Sequence, residues 1–302
     1  MNNVEVILVN AFIENGGGGN PAGVVLDADK LSDQEKLAIA QAVGYSETAF
    51  VSQALSSQAS SSQTLPQERE ADFEVSFFTP TEEVDFCGHA TLATFSTLYH
   101  RGLLTEGQYT QKTKAGLLGV MIEPDGHVVM QQNLPEYIKV LDYEDISPLI
   151  GIDAALLAST GLPIEVLSTG LPDIIVPLPH GYLNHIQVNH DLLSDFSQQH
   201  QVTGMHVFEL CEENSEFTAK CRNFAPLVGI PEESATGSAN GALACYLTKH
   251  LYAGHSRTFT FEQGRAMGSP SRITASVESD MSGVTQVSVG GFAQAFGTRL
   301  LP

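Results

Sequence analysis

Hydrophobic residues occur along this chain mostly in short runs that are separated by glycine, proline, asparagine and aspartate. Several runs alternate apolar and polar residues, which predicts β-strands. Residues 92–99 and 242–247 differ, because they are rich in small and apolar residues and carry no charge. A helix that is apolar on nearly all sides belongs inside a core. The pattern therefore predicts an α+β fold with many strands, a few short helices and one buried helix in each half of the chain.

Each of these two segments follows a similar stretch of sequence. The first stretch opens with Phe-X-Pro at 78–80 and reaches the turn Cys-Gly-His-Ala at 87–90, and the second opens with Phe-X-Pro at 224–226 and reaches Thr-Gly-Ser-Ala at 236–239. The two turns are 149 positions apart, close to half of the 302 residues. Self-similarity at this separation predicts two related lobes rather than a short-period solenoid.

The two turns also predict an anion site. A helix that starts with small residues leaves its first backbone N–H groups uncovered, and these donors act with the positive end of the helix dipole to attract a carboxylate. Two such helix starts, one from each lobe, are predicted to meet across a cleft and hold a small acid. The alternative is two buried helices with tight turns and no ligand, but the duplication and the polar residues in both turns favour a site.

Length and composition limit the number of domains, the kinds of partner and the cellular location that we expect for the protein. A length of 302 residues allows two domains of roughly 150 residues each. The net charge of −21, from 35 acidic against 14 basic residues, argues against nucleic acid or an anionic membrane as a partner. The four cysteines form no Cys-X-X-Cys pair, which fits reduced thiols better than disulfides or structural zinc. With no signal-peptide pattern and no run of ~18 apolar residues, we expect a cytoplasmic protein.

The N-terminal part of the chain has a clear helix signal. Ser32, with Glu35 three residues later, is typical of a capping box, and we expect a helix over residues 31–43 that Gly44 ends. Residues 53–72 are rich in serine and glutamine and are expected to form a surface connection without chemistry.

A set of short motifs occurs in an order that is specific as a whole. The motifs are Asn20-Pro21, Ser46-Glu47-Thr48-Ala49-Phe50, Phe78-Thr79-Pro80 with Cys87-Gly88-His89-Ala90-Thr91, Ser168-Thr169-Gly170-Leu171-Pro172, Phe224-Ala225-Pro226 with Ala235-Thr236-Gly237-Ser238-Ala239, and Gln263-Gly264-Arg265-Ala266-Met267-Gly268. Together they resemble the phenazine-biosynthesis-like (PhzF-type) isomerase family, which belongs to the diaminopimelate epimerase and proline racemase fold superfamily. The resemblance extends over nearly the whole chain.

The resemblance implies two pseudo-symmetric lobes, each a highly curved mixed β-sheet wrapped on a central α-helix. The N-terminal lobe would comprise residues 1–128 plus 291–302, the C-terminal lobe residues 129–290, and the active site would lie in the cleft between them. It also implies isomerisation by proton transfer without a cofactor or a metal. Homodimers are common in the family.

Site residues follow from the same resemblance. Glu47 would be the general acid and base that moves a proton between two substrate carbons, a task that suits a carboxyl whose pKa burial raises. His89 would orient the substrate or shuttle protons, and Glu233 and Ser238 are its counterparts in the second lobe. Substrate binding is expected at Asn20, Gly88, Ala90, Thr236 and Gly237. This chain departs from the family pattern Glu-Asp-Pro-Ala-Thr-Gly-Ser, because Glu233 replaces the aspartate and Ser234 the proline, and it lacks the arginine that commonly follows Gly268.

Cys87 requires separate consideration. Epimerases of the superfamily use two cysteines at opposed helix starts, and a thiol at a helix N-terminus is expected to have a lowered pKa. The counterpart of Cys87 is Thr236, however, which forms no useful base near pH 7. We therefore expect Cys87 to be a packing residue. No nucleophile elbow and no dinucleotide-binding fingerprint occurs in the sequence.

The sequence thus favours a cofactor-independent isomerase of a small carboxylate-bearing metabolite, with Glu47 as its single acid and base. Two alternatives stay open. One is a protein on the same fold that binds a small acid without turnover, which the changes at positions 233, 234 and 269 motivate. The other is an epimerase or racemase of an amino or hydroxy acid.

Overall fold

A computed structural model describes residues 3–53 and 71–301 of the chain. The chain forms two compact units. The first comprises the chain up to Ala11, the segment Pro21–Met130 and the chain from Gly291 onward, and the second comprises Phe12–Asn20 and Gln131–Gly290. Of the predicted surface connection over 53–72, residues 54–70 lie outside the described part.

The described residues contain strands and helices in the following order. The strands are β1 (Val4–Ala11), β2 (Asn20–Val25), β3 (Thr48–Gln53), β4 (Phe73–Phe78), β5 (Glu83–Val84), β6 (Gly107–Thr113), β7 (Gly116–Ile122), β8 (Val128–Gln132), β9 (Glu136–Leu141), β10 (Ile164–Ser168), β11 (Pro172–Leu178), β12 (Gly204–Leu210), β13 (Ala219–Ala225), β14 (Ile230–Glu233), β15 (Arg257–Gln263), β16 (Ser271–Asp280), β17 (Gly283–Gly291) and β18 (Ala293–Leu301). The α-helices are α1 (Asp33–Val43), α2 (Gly88–His100), α3 (Tyr143–Ile150), α4 (Ala154–Ala158), α5 (His190–His200) and α6 (Gly237–Leu251).

The first unit is built around α2. Its residues from His89 to Leu98 are all buried, as predicted for a helix without charge, and β1, β3, β7 and β18 contact it. The strands pair antiparallel as β1–β18, β3–β4, β4–β5, β6–β7 and β7–β8, and parallel as β2–β3 and β4–β6. The first and last of the described strands therefore lie side by side in one sheet.

Helix α1 leads into the candidate site of this unit. Ser32 accepts a hydrogen bond from the Glu35 backbone N–H, and the Glu35 carboxylate accepts one from the Ser32 backbone N–H, so the predicted capping box is confirmed. The helix begins at Asp33 rather than at residue 31, because Ser32 is its N-cap. It ends at Gly44, whose φ of 76° favours glycine. The chain then turns within a few residues into β3.

The second unit is built around α6, which is buried almost throughout and contacts β10, β11, β15 and β16. The strands pair antiparallel as β9–β10, β10–β11, β12–β13, β13–β14, β15–β16 and β16–β17, and parallel as β11–β12 and β13–β15. Apolar residues of α3, α4 and α5 form a further core with β10, β11 and β12. With one central helix and a mixed sheet in each unit, the predicted α+β fold is confirmed.

Asp173 and His206 are two of the buried titratable side chains of the second unit, and they lie on neighbouring strands. Asp173 in β11 is enclosed, and burial raises its pKa to about 7 although a hydrogen bond from the Gly204 backbone partly offsets the effect. His206 in β12 is also enclosed, and burial lowers its pKa to about 3. Both groups are therefore favoured in their neutral forms.

No helix among the described residues is long and apolar enough to cross a membrane.

Candidate active site

The start of α2 carries the first half of the predicted site. Cys87 is the N-cap residue in extended backbone, with φ −143° and ψ 116°, and its side chain makes no capping hydrogen bond to the helix. Gly88 is half-buried, and a Cβ atom placed on it would meet no heavy atom closer than 4.0 Å. Ala90, two residues further along the helix, is buried. The space where a Cβ atom on Gly88 would stand is therefore sterically open.

Glu47 lies beside this helix start because β3 begins directly after it. Its backbone carbonyl accepts a hydrogen bond from the Gly23 N–H at 3.2 Å, which fixes the turn against β2. Its carboxylate Oε2 is 3.3 Å from His89 Nε2, and only 14% of the Glu47 side chain and 5% of the His89 side chain are exposed. Within the described residues this buried oxygen accepts no hydrogen bond. The carboxylate is thus shielded from bulk water and keeps an acceptor position.

Two further side chains surround the His89 ring. Ser46 Oγ is 3.5 Å from His89 Nε2, and Cys87 Sγ is 3.4 Å from His89 Nδ1. The structure therefore brings the predicted residues Glu47, His89, Gly88 and Ala90 together in the first unit. It also places Cys87 in contact with the imidazole. The sequence argument missed Ser46 as a partner of His89, although Ser46 stands in the motif that identified Glu47.

The start of α6 in the second unit is organised differently. Thr236 is the N-cap residue, and its hydroxyl donates to Glu233 Oε2 at 2.5 Å. Glu233 Oε1 accepts from Asn20 Nδ2 at 3.0 Å, and Asn20 Nδ2 also donates to the Ala235 carbonyl at 3.1 Å. Both oxygens of Glu233 and the amide donors of Asn20 thus hold the loop that precedes the helix.

Gln263 completes this network from the end of β15. It is fully buried, and its Oε1 accepts from the Thr236 backbone N–H at 3.2 Å and from Asn240 Nδ2 at 2.8 Å. Its Nε2 donates to the Glu233 carbonyl at 2.8 Å and to Thr236 Oγ1 at 3.1 Å. The sequence argument used residues 263–268 to identify the family but gave Gln263 no role, because amide side chains carry no signal of their partners.

The other predicted residues of the second unit lie at the same helix start. Gly237 is buried, and a Cβ atom on it would lie 3.6 Å from Phe12 Cζ and 3.7 Å from Val289 Cγ1. Ser238 is half-buried, and its carbonyl accepts from Thr169 Oγ1 at 3.1 Å. The structure therefore assembles Asn20, Glu233, Thr236, Gly237 and Ser238 within one unit; their catalytic and binding roles stay predictions.

One cluster among the described residues has the donor set of a metal site. The ligand atoms of Glu47, Cys87 and His89 all lie within 4.8 Å of one another.

Comparison with known proteins supports the family resemblance that the sequence motifs indicate. A protein of Clostridium acetobutylicum called an uncharacterized isomerase is 32% identical over 295 residues, covering 94% of this chain and 93% of the relative. The trans-2,3-dihydro-3-hydroxyanthranilate isomerase of Pseudomonas aeruginosa is 30% identical over 297 residues, covering 96% of each protein. The crystal structure of a Bacillus anthracis phenazine biosynthesis protein of the PhzF family superposes with a TM-score of 0.87 at 29% identity, covering 100% of both chains.

The family itself is settled by a match that spans almost the entire sequence. The family model described as phenazine biosynthesis-like protein matches residues 9–298. The ordered motifs around Glu47, His89 and Thr236 fall inside that range, as do both buried helices. The chain is therefore a member of the phenazine biosynthesis-like, or PhzF, family.

Proposed function

We propose that this protein is an isomerase that moves a proton between two carbons of a small carboxylate-bearing metabolite, with Glu47 as the only general acid and base. The observation that supports this most directly is the shielded Glu47 carboxylate, whose Oε2 lies 3.3 Å from His89 Nε2 and accepts no hydrogen bond from the described residues. The isomerase named among the relatives, which acts on trans-2,3-dihydro-3-hydroxyanthranilate by its name, belongs to the same reaction class.

The proposed reaction needs one group that takes a proton from one carbon and delivers a proton to another. Glu47 Oε2 removes a proton from a substrate carbon that lies next to a double bond, the double bond shifts, and the carboxylic acid delivers a proton to the far carbon. No atom is gained or lost. Exchange of the Glu47 carboxylic-acid proton with solvent before its delivery lets the reaction in D₂O place deuterium at the far carbon. His89, in contact with the carboxylate, holds the substrate in line with it.

The substrate carboxylate is placed at the start of α2 in this proposal. The space in front of Gly88 is open, and backbone N–H groups at a helix start attract anions. This local donor set is needed because the protein as a whole carries a charge of −21, which repels an acid.

The test is solvent isotope exchange. The purified protein is incubated in D₂O with a panel of small unsaturated amino and hydroxy acids that includes trans-2,3-dihydro-3-hydroxyanthranilate, and NMR follows deuterium at carbon. We expect exchange or isomerisation of at least one acid, and its loss in Glu47→Gln. The exposed Glu106→Gln is the matched control and keeps full activity. Exchange that survives in Glu47→Gln would remove Glu47 from this role.

A second candidate, binding of a small acid without turnover, is supported by the second unit. Both oxygens of Glu233 already accept hydrogen bonds from Asn20 and Thr236, so this carboxylate is held as part of the loop. Calorimetry with the same acids distinguishes the two functions, because binding without exchange favours the second. A two-base epimerase is less well supported, since Thr236 offers a hydroxyl that is donated to Glu233.

A further inference from the structure

Three different metal-binding side chains converge beside the start of α2. Glu47 Oε2 is 3.3 Å from His89 Nε2. Cys87 Sγ is 3.4 Å from His89 Nδ1 and 4.0 Å from His89 Nε2. The residues come from two places in the sequence, the turn before β3 and the start of α2 with its N-cap residue, so the fold itself creates the cluster.

These separations approach those that a tetrahedral zinc ion imposes on its ligands. Bond lengths of about 2.0–2.2 Å to nitrogen and oxygen and about 2.3 Å to sulfur place neighbouring ligand atoms roughly 3.3–3.6 Å apart. The Glu47–His89 separation of 3.3 Å already falls in this range. The 4.0 Å separation of Cys87 Sγ and His89 Nε2 is longer, and a small rotation of the cysteine side chain would shorten it.

The chemistry of the cluster points to zinc rather than to magnesium or calcium. Thiolate and imidazole ligands select zinc-like ions, whereas magnesium and calcium prefer all-oxygen sites. The Glu47 carboxylate and a Cys87 thiolate supply two negative charges, which match the two positive charges of Zn²⁺ and leave the buried cluster neutral. The thiol loses its proton to solvent when the metal binds.

We propose that Glu47, Cys87 and His89 bind one Zn²⁺ ion, with a fourth position left for water, and that the bound ion inhibits the protein. Inhibition follows because the metal coordinates the Glu47 carboxylate oxygen, which can then no longer accept the substrate proton. This second part rests on the proposed function. The metal binding itself does not, since it depends only on the three side chains.

The remaining cysteines allow the site to be tested cleanly. Cys221 and Cys245 are buried, and burial raises the pKa of Cys245 to about 12 and that of Cys221 well above its ordinary value. Cys211 is half-buried and its pKa is also raised by burial. A metal–thiolate signal is therefore expected to come from Cys87.

The experiment is a titration of the tag-free, full-length protein with Co²⁺ under anaerobic conditions, followed by absorption spectroscopy. We expect a thiolate-to-cobalt charge-transfer band that saturates at one equivalent and disappears when Zn²⁺ is added. Cys87→Ala abolishes the band, and Cys211→Ala, the matched control, retains it. Glu47→Gln and His89→Asn each weaken Co²⁺ binding by at least about ten-fold. Absence of the band, or its persistence in Cys87→Ala, overturns the site.

Isotope exchange in the presence of Zn²⁺ tests the inhibition separately. We expect exchange to stop at one equivalent of Zn²⁺ and to return when EDTA is added. Exchange that continues in the Zn²⁺-loaded protein refutes the inhibition while the proposed isomerase stands. A cobalt band in a protein that exchanges no acid supports the metal site and counts against the proposed isomerase.

Discussion

The two buried helices, α2 and α6, start with nearly the same backbone conformation, but the side chains around the two helix starts make different kinds of contacts. At the start of α2, His89 contacts both Glu47 and Cys87, and one Glu47 carboxylate oxygen accepts no hydrogen bond among the described residues. At the start of α6, Glu233 and Thr236 are tied to each other and to buried amide side chains. The duplicated stretch therefore forms a first corner of three clustered titratable groups in one unit and a second, rigid corner held by hydrogen bonds in the other.

The comparison shows that the two duplicated helix starts share a backbone conformation, and that a few side chains determine what each of them can do chemically. Cys87 and Thr236 are equivalent in sequence and are both N-cap residues in extended backbone. Only Cys87 carries a thiol. The Thr236 hydroxyl instead donates a hydrogen bond that holds the Glu233 carboxylate in place. If the comparison is right, substitutions at the first corner should change activity, and substitutions at the second should change stability.

The largest effect is expected for Glu47→Gln. The change keeps the shape of the side chain and removes its ability to accept a proton, so exchange should fall by about 10²–10⁴-fold. The free energy of unfolding should change little, because no hydrogen bond from the described residues to Oε2 is lost. Exchange rates and urea unfolding of the same preparation measure both quantities. A large loss of stability without loss of exchange would show that Glu47 supports the fold rather than the activity.

The next effect concerns Asp173, which gives the second unit a sensitivity to pH. Its pKa is 3.8 in an ordinary environment and about 7 in the fold, so the folded state binds a proton more tightly than the unfolded state. Stability from this group is complete below pH 4 and is lost as the pH rises through 7. The loss amounts to at most about 4 kcal/mol.

Asp173→Asn should remove this dependence, because the amide is neutral at every pH and its oxygen can still accept the Gly204 hydrogen bond. We expect the variant to gain stability relative to the native protein between pH 5 and pH 8, measured by urea unfolding at both values. Other groups cancel in the difference between the two proteins. A difference that is independent of pH contradicts the assignment.

A smaller effect is expected for Thr236→Val at the rigid corner. The valine loses the hydrogen bonds to Glu233 and Gln263, which leaves a buried amide donor without its partner and costs about 1–3 kcal/mol of unfolding free energy. Thr236→Ser is the control, since it keeps the hydroxyl. Equal stability of the valine and serine variants in urea would show that this network does not hold the loop.

The smallest change in stability is expected for Gly88→Ala. An added Cβ meets nothing closer than 4.0 Å, so the unfolding free energy should stay within about 0.5 kcal/mol. The methyl group would nevertheless stand in the open space where the substrate carboxylate is placed, which should raise KM for exchange. Gly17→Ala, also without steric contact, is the control. An unchanged KM places the carboxylate elsewhere.

Much of the fold could be predicted because patterns of neighbouring residues in the sequence determine its helices and their ends. The charge-free segments gave the two central helices, the small-residue turns gave their starts, and Ser32 with Glu35 gave the first residue of α1 to within two positions. Glu47 and His89 were identified through their motifs, and the structure brings them to 3.3 Å.

The parts that escaped prediction depend on contacts between distant residues. Gln263 reaches Thr236 across 27 positions, and Asn20 reaches Glu233 across 213. An amide can pair with almost any polar group, so neither its identity nor its spacing names the partner. The same holds for the segment Phe12–Asn20, which belongs to the second unit although it stands between two strands of the first.

The pairing of β1 with β18 has a consequence for how the protein is made. The first strand leaves the ribosome well before its partner, Ala293–Leu301, which follows it by more than 280 positions. Domains usually fold in the order of their synthesis. Here Gln131–Gly290 is synthesised while the first unit still lacks its segment from Gly291 onward, so nascent chains should present an unpaired strand to chaperones until residues 293–301 emerge.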